Sequence, residues 1–499
     1  MRMNDPPLTL LPQIQRLVST NEAPTSAGAD AVKVLLEIHR TQSAVDGQHH
    51  QESNPTCSSI EKLNAVLAPI RRLPAEIIGE VLLAAFEDHR RQTRAASWAP
   101  WRLAHICRSW RNVALRVPRL WAKIVVFNGS CSSATLGRRQ LALEEQLARS
   151  SCTPITLEIS WSEPAGGLTT RHHDTRLVEL VVAHCERWEH LQLDVLGDSD
   201  FFFSLLEPAQ NRLLALHTLS CQGSGSISVG CDMFLDAPKL ARVLYMVGEG
   251  YVRLPWAQLR SCYLGQSPRM GGLGSAHQLV VLELDLGYGE RPGTNAVVTL
   301  PNLLHLRVWG GTGLQNLTAP LLRSLFIETV HHEIDRVPSF LRRSQCQLSA
   351  LCIRQDWDLD EMFPTDVVIE ILLCVPALAL MLLIEREWIT GKDGVPVIDE
   401  DDDDPTCIGD LFTFMQSGDS ETSLAEVVPH LRTLVYHLRY SPFETDAFLG
   451  MASKRSTVEI FIPEVEPYLN AAAAAPNIGA ISEADLEAFV DDNFPSPWS

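Results

Sequence analysis

LPNLLHLRVWG, from Leu300 to Gly310, and APLLRSLFIET, from Ala319 to Thr329, share one pattern. An apolar residue and a proline precede a leucine, and apolar and polar side chains then alternate. The pattern returns in APKLARVLYM at Ala237, LPWAQLRSCYL at Leu254, VPALALMLLIE at Val375 and VPHLRTLVYHL at Val428. Without the proline it returns in WEHLQLDV at Trp188, LLALHTLSC at Leu213, HQLVVLELDL at His277 and QLSALCIRQD at Gln347. The leading leucines, among them Leu240, Leu259, Leu303, Leu322 and Leu378, often stand about 19 to 30 residues apart. Alternation of period two denotes a strand. Stretches between strands, such as RLVELVVAHCERW and PSFLRRSQC, read as helix or loop. The pattern therefore predicts a repeated strand–turn–helix unit whose apolar face is buried against its neighbours in a parallel sheet.

A unit of this length resembles the leucine-rich repeat in a degenerate form, since the asparagine that marks regular repeats is mostly absent. The expected fold class is α/β: an irregular leucine-rich-repeat-like solenoid over residues 125–460, with a surface offered by its sheet edge or rim loops. The alternative is a non-repeat α/β domain with parallel strands. The apolar stretch Val367 to Ile384 is as long as a short membrane span. Glu370 lies inside it and Pro376 breaks it, so a buried helix, a turn at the proline and a buried strand are expected. IDEDDDDP, from Ile398 to Pro405, reads as a solvated loop between repeats; a site for a basic substrate is the sharper reading. It lacks the alternating ligands and central glycine of a calcium loop. The C-terminal tail, 461–499, should form an acidic helix from Ser482 to about Asp491, capped by the serine. It is expected to fold back on the last repeat.

The chain has 499 residues, enough for two or three units, with 45% hydrophobic and 20% charged residues. That composition supports a large core and excludes wholesale disorder. Net charge is -20 and the pI is near 5.2, which argues against nucleic-acid binding through the whole surface. The 12 cysteines include no CxxC pair and read as reduced core thiols, implying a cytoplasmic or nuclear setting. The first residues lack the apolar run of a secretory signal. Residues 1 to about 30 read as disordered, a helix is expected over Asp30–Arg40, and Ile60, Leu63, Leu67 and Ile70 predict another, so 1–58 forms a lead-in.

Residues 59–124 differ from the rest. From Ile70 to Ile124 stand eleven Lys/Arg against four Asp/Glu, a net of +7, with Trp98, Trp101, Trp110 and Trp121. Pro74 suits a helix start. Ile77, Val81 and Ala85 form one row, and Ile78, Leu82 and Phe86 the next, making a wide apolar face. Glu87 to Ser97 reads as a polar, basic loop. Leu103, Ile106, Cys107, Trp110 and Ala114 predict one face of a second helix, which Pro118 ends. So small a helical unit cannot bury all of this internally. Its surplus apolar surface meets either the downstream domain or a separate chain.

These pieces resemble an F-box, most closely the long F-box proteins of mushroom-forming fungi. The "PIRRLP-E-I" start is present as Pro69, Ile70, Arg71, Arg72, Leu73, Pro74, Glu76 and Ile77. The "VC-W" core is present as Ile106, Cys107, Arg108, Trp110 and Arg111, and the "P-LW" ending as Pro118, Leu120 and Trp121. The resemblance spans about 55 of 499 residues and rests on separate pieces occurring in order. Two departures are the long basic link between the helices and Gly79 within the first. The resemblance implies a small all-helical module that docks a Skp-type adaptor through Leu73, Pro74, Glu76, Ile77, Ile78, Leu82, Ile106, Cys107 and Trp110. Through the adaptor it would join a cullin-RING ubiquitin ligase, with the repeat domain holding an unidentified protein substrate. The alternative is a non-ligase F-box scaffold whose helices pack permanently on the repeat domain. The two differ in whether the Leu73–Leu82 face is free or covered. A basic module suits an acidic protein partner.

No GxSxG, GxxxxGK[ST] or HExxH motif occurs, and GGLGSAH at Gly271 reads as a loop. The tandem pairs His172–His173 and His331–His332 would point to opposite faces of a strand and serve one metal poorly. His184 and Cys185 are sequence neighbours, which seldom places base and nucleophile in contact. The chain is expected to be a non-catalytic subunit without cofactor or metal, contacting neither nucleic acid nor membrane.

Overall fold

The computed structural model describes residues 12–20, 22–45, 55–92, 99–128, 133–162, 175–197, 199–223, 231–247, 252–265, 270–285, 297–329, 334–356, 365–386, 408–416, 428–437, 445–463 and 476–496. The acidic run 398–405, both histidine pairs and Trp98 lie outside them. The chain divides into two compact units, Met1–Ile159 with Thr170–Trp188, and Ser160–Thr169 with Glu189–Ser499.

In the first unit, α1 (Pro12–Thr20), α2 (Ser26–Val45) and α3 (Pro55–Leu67) share a core of Ile14, Val32, Leu36, Leu63 and Val66. Helix α1 stands where no regular structure was expected. Ile14, Leu17 and Val18 share one face and pack into that core, and Arg71 donates to the Leu17 carbonyl at 2.6 Å. Ile70 belongs to a 3₁₀ turn, Pro69–Arg72, rather than to α3. The Pro74 carbonyl then accepts from the Ile78 N–H at 3.0 Å as α4 (Ala75–Gln92) begins. Helix α4 continues through Glu87 to Gln92, where a loop was expected, and Glu87 pairs with Lys123. Residues 93–97 of that expected loop lie outside the described residues.

The expected second helix is broken in two, α5 (Ala99–Leu103) and α6 (Arg108–Ala114). Cys107 is the reason: its backbone is extended, φ -159°, and its Sγ accepts from the Trp110 N–H at 3.4 Å, capping α6. Pro118 opens a further turn, α7 (Pro118–Trp121), rather than only closing α6. Then come β1 (Lys123–Asn128), α8 (Ser133–Ser150), β2 (Ile155–Ser162) and α9 (Thr175–Val182).

The second unit holds β3 (Trp188–Leu196), α10 (Ser199–Leu206), β4 (Thr218–Gly223), β5 (Arg242–Val247), β6 (Ser261–Gly265), β7 (Val281–Asp285), β8 (Val298–Thr299), β9 (His305–Trp309), β10 (Leu317–Thr318) and β11 (Ser324–Thr329). It continues with α11 (Arg336–Ser344), β12 (Ala350–Asp356), α12 (Thr365–Cys374), β13 (Leu380–Arg386), α13 (Ile408–Gln416), β14 (Thr433–His437), α14 (Thr445–Lys454), β15 (Glu459–Pro463), β16 (Ile478–Ile481) and α15 (Glu483–Asn493). Strands β8 and β10 pair with each other. The others, β3 to β16, pair in parallel in chain order. The unit is thus a mixed α/β assembly built on a long parallel sheet, and in this it resembles a leucine-rich-repeat-type fold. The stretch Val367–Ile384 resolves as expected into α12, a turn at Pro376 and β13, and among the described residues no helix is long and apolar enough to cross a membrane.

The proline–leucine pattern has a local cause. Ala237, Leu300, Ala319, Val375 and Val428 each accept through their carbonyl from the N–H three residues on, that of Leu240, Leu303, Leu322, Leu378 or Leu431, at 3.1 to 3.4 Å. The proline occupies the second position of each turn, where its fixed φ is preset. The leucine at the fourth position is buried in every case. Amides from later segments satisfy turn carbonyls: Gln258 donates to Ala237 and Leu240, Asn302 to His277, and Asn477 to Ala452, Arg455 and Val458. Parallel register then stacks Leu282, Leu306, Leu325, Leu351, Met381, Leu434 and Ile460 in one buried row.

Candidate functional site

The first candidate is the helical module. Helix α4 packs against α5, α6 and α7 around Ile78, Leu82, Phe86, Ala104, Ala114, Leu120 and Trp121. Trp121 is fully buried and its Nε1–H donates to the Ala114 carbonyl at 2.7 Å. Trp101 meets it edge-on at 4.8 Å, and Arg149 lies over both rings. Gly79, costly in a helix interior, is buried here, and a Cβ on it would stand 3.3 Å from Val117 Cγ2. The two rows of α4 therefore part. Ile78 and Leu82 build the module's own core, while Ile77 is 48% and Val81 37% exposed. Pro74 and Glu76 are also exposed, Ile106 is 53% exposed, and Leu73, Cys107 and Trp110 are half-buried.

The second candidate lies on the sheet face opposite the buried leucine row, and the sequence reading did not single it out. Parallel register aligns Tyr263, Glu283, Arg307, Phe326, Cys352, Leu382 and Val435 across β6, β7, β9, β11, β12, β13 and β14. The C-terminal helix α15 lies on it, joining Leu486, Val490 and Phe494 to Phe326, Cys352, Leu382 and Val435 in one cluster. Ser482 caps the helix as expected, accepting from the Asp485 N–H at 3.2 Å. The tail covers the face of several strands, and Phe489 also packs on Phe461 of β15 near the end of the sheet. Its apolar residues, four apart, meet the apolar part of that face.

Charge is arranged around Phe326. Arg307 and Arg354 stand over its ring at 4.5 and 5.5 Å, and each side chain is nearly buried. Arg354 binds Glu487 at 2.7 Å and approaches Glu328 at 4.0 Å. Burial pulls its pKa down, but Glu487 and Glu328 outweigh this and hold it above its usual value. Arg307 donates to the Phe494 carbonyl at 3.3 Å and stands 3.9 Å from Asp491. Burial drives the Glu283 carboxyl up, against a hydrogen bond from Ser496 and the charge of Arg307. Burial likewise pushes the Cys352 thiol up to about 12. Beside them Tyr263 donates to Asp285 at 3.3 Å and packs on Trp309. The visible signal was Arg or Glu inside strands, in LRVW, LCIRQD and LELD, at positions that register brings together.

His184 and Cys185 lie between α9 and β3, where burial lowers the His184 pKa. Met270–Ser275 is a 3₁₀ turn rather than a loop, and a Cβ on Gly272 would overlap the Trp256 indole. Among the described residues no group of three or more His, Cys, Asp or Glu is arranged to hold a metal ion.

No family model and no curated protein matches this chain. Among solved structures it is similar to the crystal structure of the TLR13–ssRNA13 complex, with a TM-score of 0.30 and 14% identity over 66% of this chain. The chain spans 42% of the length of that one.

Proposed function

We propose that this chain is the substrate-receptor subunit of a Skp-cullin-F-box ubiquitin ligase. The helical module acts as the F-box and the repeat unit as the substrate holder. The observation that carries the reading is the division of α4. Ile78 and Leu82 complete a core of their own, which leaves Pro74, Ile77 and Val81, with Ile106 before α6, as apolar side chains in solvent. Bulky apolar groups held outside a satisfied core favour a separate chain as their partner. The adaptor would meet Leu73, Pro74, Glu76, Ile77, Ile106, Cys107 and Trp110, while Ile78 and Leu82 hold that face in shape from beneath.

Co-expression with a fungal Skp-type adaptor tests this. A stoichiometric complex that is lost in Ile77→Asp/Ile106→Asp is expected, because both changes fall at exposed positions and leave the fold intact. No complex with a well-folded wild-type chain would sink the ligase reading and favour the non-ligase scaffold.

A further inference from the structure

The tail helix α15 with its C-terminal cap residue carries apolar side chains at every fourth position, Leu486, Val490 and the cap Phe494, and an acid directly after each of the first two, Glu487 and Asp491. The face beneath answers that order. Phe326, Cys352, Leu382 and Val435 take the apolar row, and Arg354 and Arg307 take the two acids. We propose that this sheet face is a binding surface for an acidic amphipathic helix of a partner protein, and that α15 is an internal ligand that occupies it until displaced.

Three features separate this from a tail that merely seals the core. First, an apolar cover needs no charge beneath it, yet two nearly buried arginines face the helix, and burying unpaired guanidinium is costly. Second, the Nε atoms of both Arg307 and Arg354 are buried without a hydrogen-bond partner, so the tail leaves donor capacity unused on the face. Third, the tail acids are half in solvent: the Glu487 and Asp491 side chains are 58% and 52% exposed, and the Asp491 contact is long, at 3.9 Å. A better-matched helix has room to bind more tightly. In a chain of net charge -20, this arginine pair supplies the local attraction for an acidic ligand. The proposal does not depend on what docks on the helical module.

The test uses the full-length chain and a fluorescent peptide of residues 482–496. Leu486→Asp/Val490→Asp in the chain should release its own tail, and anisotropy titration should then show binding at least tenfold tighter than to wild type, where the tail competes. Glu487→Ala/Asp491→Ala, which removes only the charged contacts, should give an intermediate gain. A peptide carrying Glu487→Arg should lose binding, and the chain variant Arg354→Glu should restore it. The proposal is overturned if folded tail variants take up no peptide. It is equally overturned if binding ignores the charge exchange, or if both tail variants unfold, which would make α15 an obligate part of the core.

Discussion

Glu283 places a carboxyl on the central strands where solvent does not reach it, and burial raises its pKa above the ordinary 4.5. The folded chain therefore holds this proton more tightly than the unfolded chain does. Stability from this group is complete below pH 4.5 and declines as pH rises through the raised value. Glu283→Gln keeps the neutral shape, so wild type should lose stability relative to it on going from pH 4.5 towards neutrality, as denaturant midpoints would show. Equal pH slopes would refute this. Thiols divide by the same physics. Cys152 is exposed, whereas Cys185, Cys221, Cys262 and Cys352 are buried, and burial raises the last three. Brief alkylation at neutral pH should label Cys152 and spare those four, read by peptide mass mapping.

Helix α4 carries two adjacent rows, one buried in its own core and one in solvent. Leu82→Ala removes a fully buried side chain and should cost roughly 2–5 kcal/mol. Ile77→Ala touches an exposed one and should change stability by less than about 0.5 kcal/mol. Thermal unfolding of both variants measures the contrast, and similar losses would mean that the exposed row is packed after all. Gly79 belongs to the same account: alanine there gains about 1 kcal/mol of helix propensity, which crowding against Val117 offsets. Helix α6 owes its start to a sulfur cap on the Trp110 N–H, which is why one apolar stripe yields two short helices.

In the parallel stack each strand bonds only its two neighbours, so stability is a sum of local terms. Leu325→Ala in β11 should reduce amide-exchange protection first in β9 and β12, and only later in β4 and β5. A uniform loss across all strands would show one indivisible cooperative unit instead. The C-terminal helix changes this locally. It ties β9, through Arg307, to residues nearly two hundred positions later, so β9, β11, β12 and β13 should be the last to exchange.

The strands that carry the leucine pattern, β3 to β7, β9 and β11 to β14, were legible in the sequence together with their turns, because each rests on local rules. Alternation of period two selects a strand, proline presets a turn, and the leucine that follows must be buried. The helix–turn–strand reading of Val367–Ile384 and the serine cap of α15 were legible for the same reason. Three features were not. The break between α5 and α6 turns on a cap, a choice of backbone angle that a hydrophobic stripe does not encode. Which row of α4 stays in solvent depends on what Ala114, Leu120 and Trp121 fill from another part of the chain. The joining of Arg307, Arg354, Glu283 and Glu487 depends on register between strands and on where a tail comes to rest. Sequence patterns report what a residue does to its near neighbours, and contacts across a hundred or more residues exist only once the chain has closed around them.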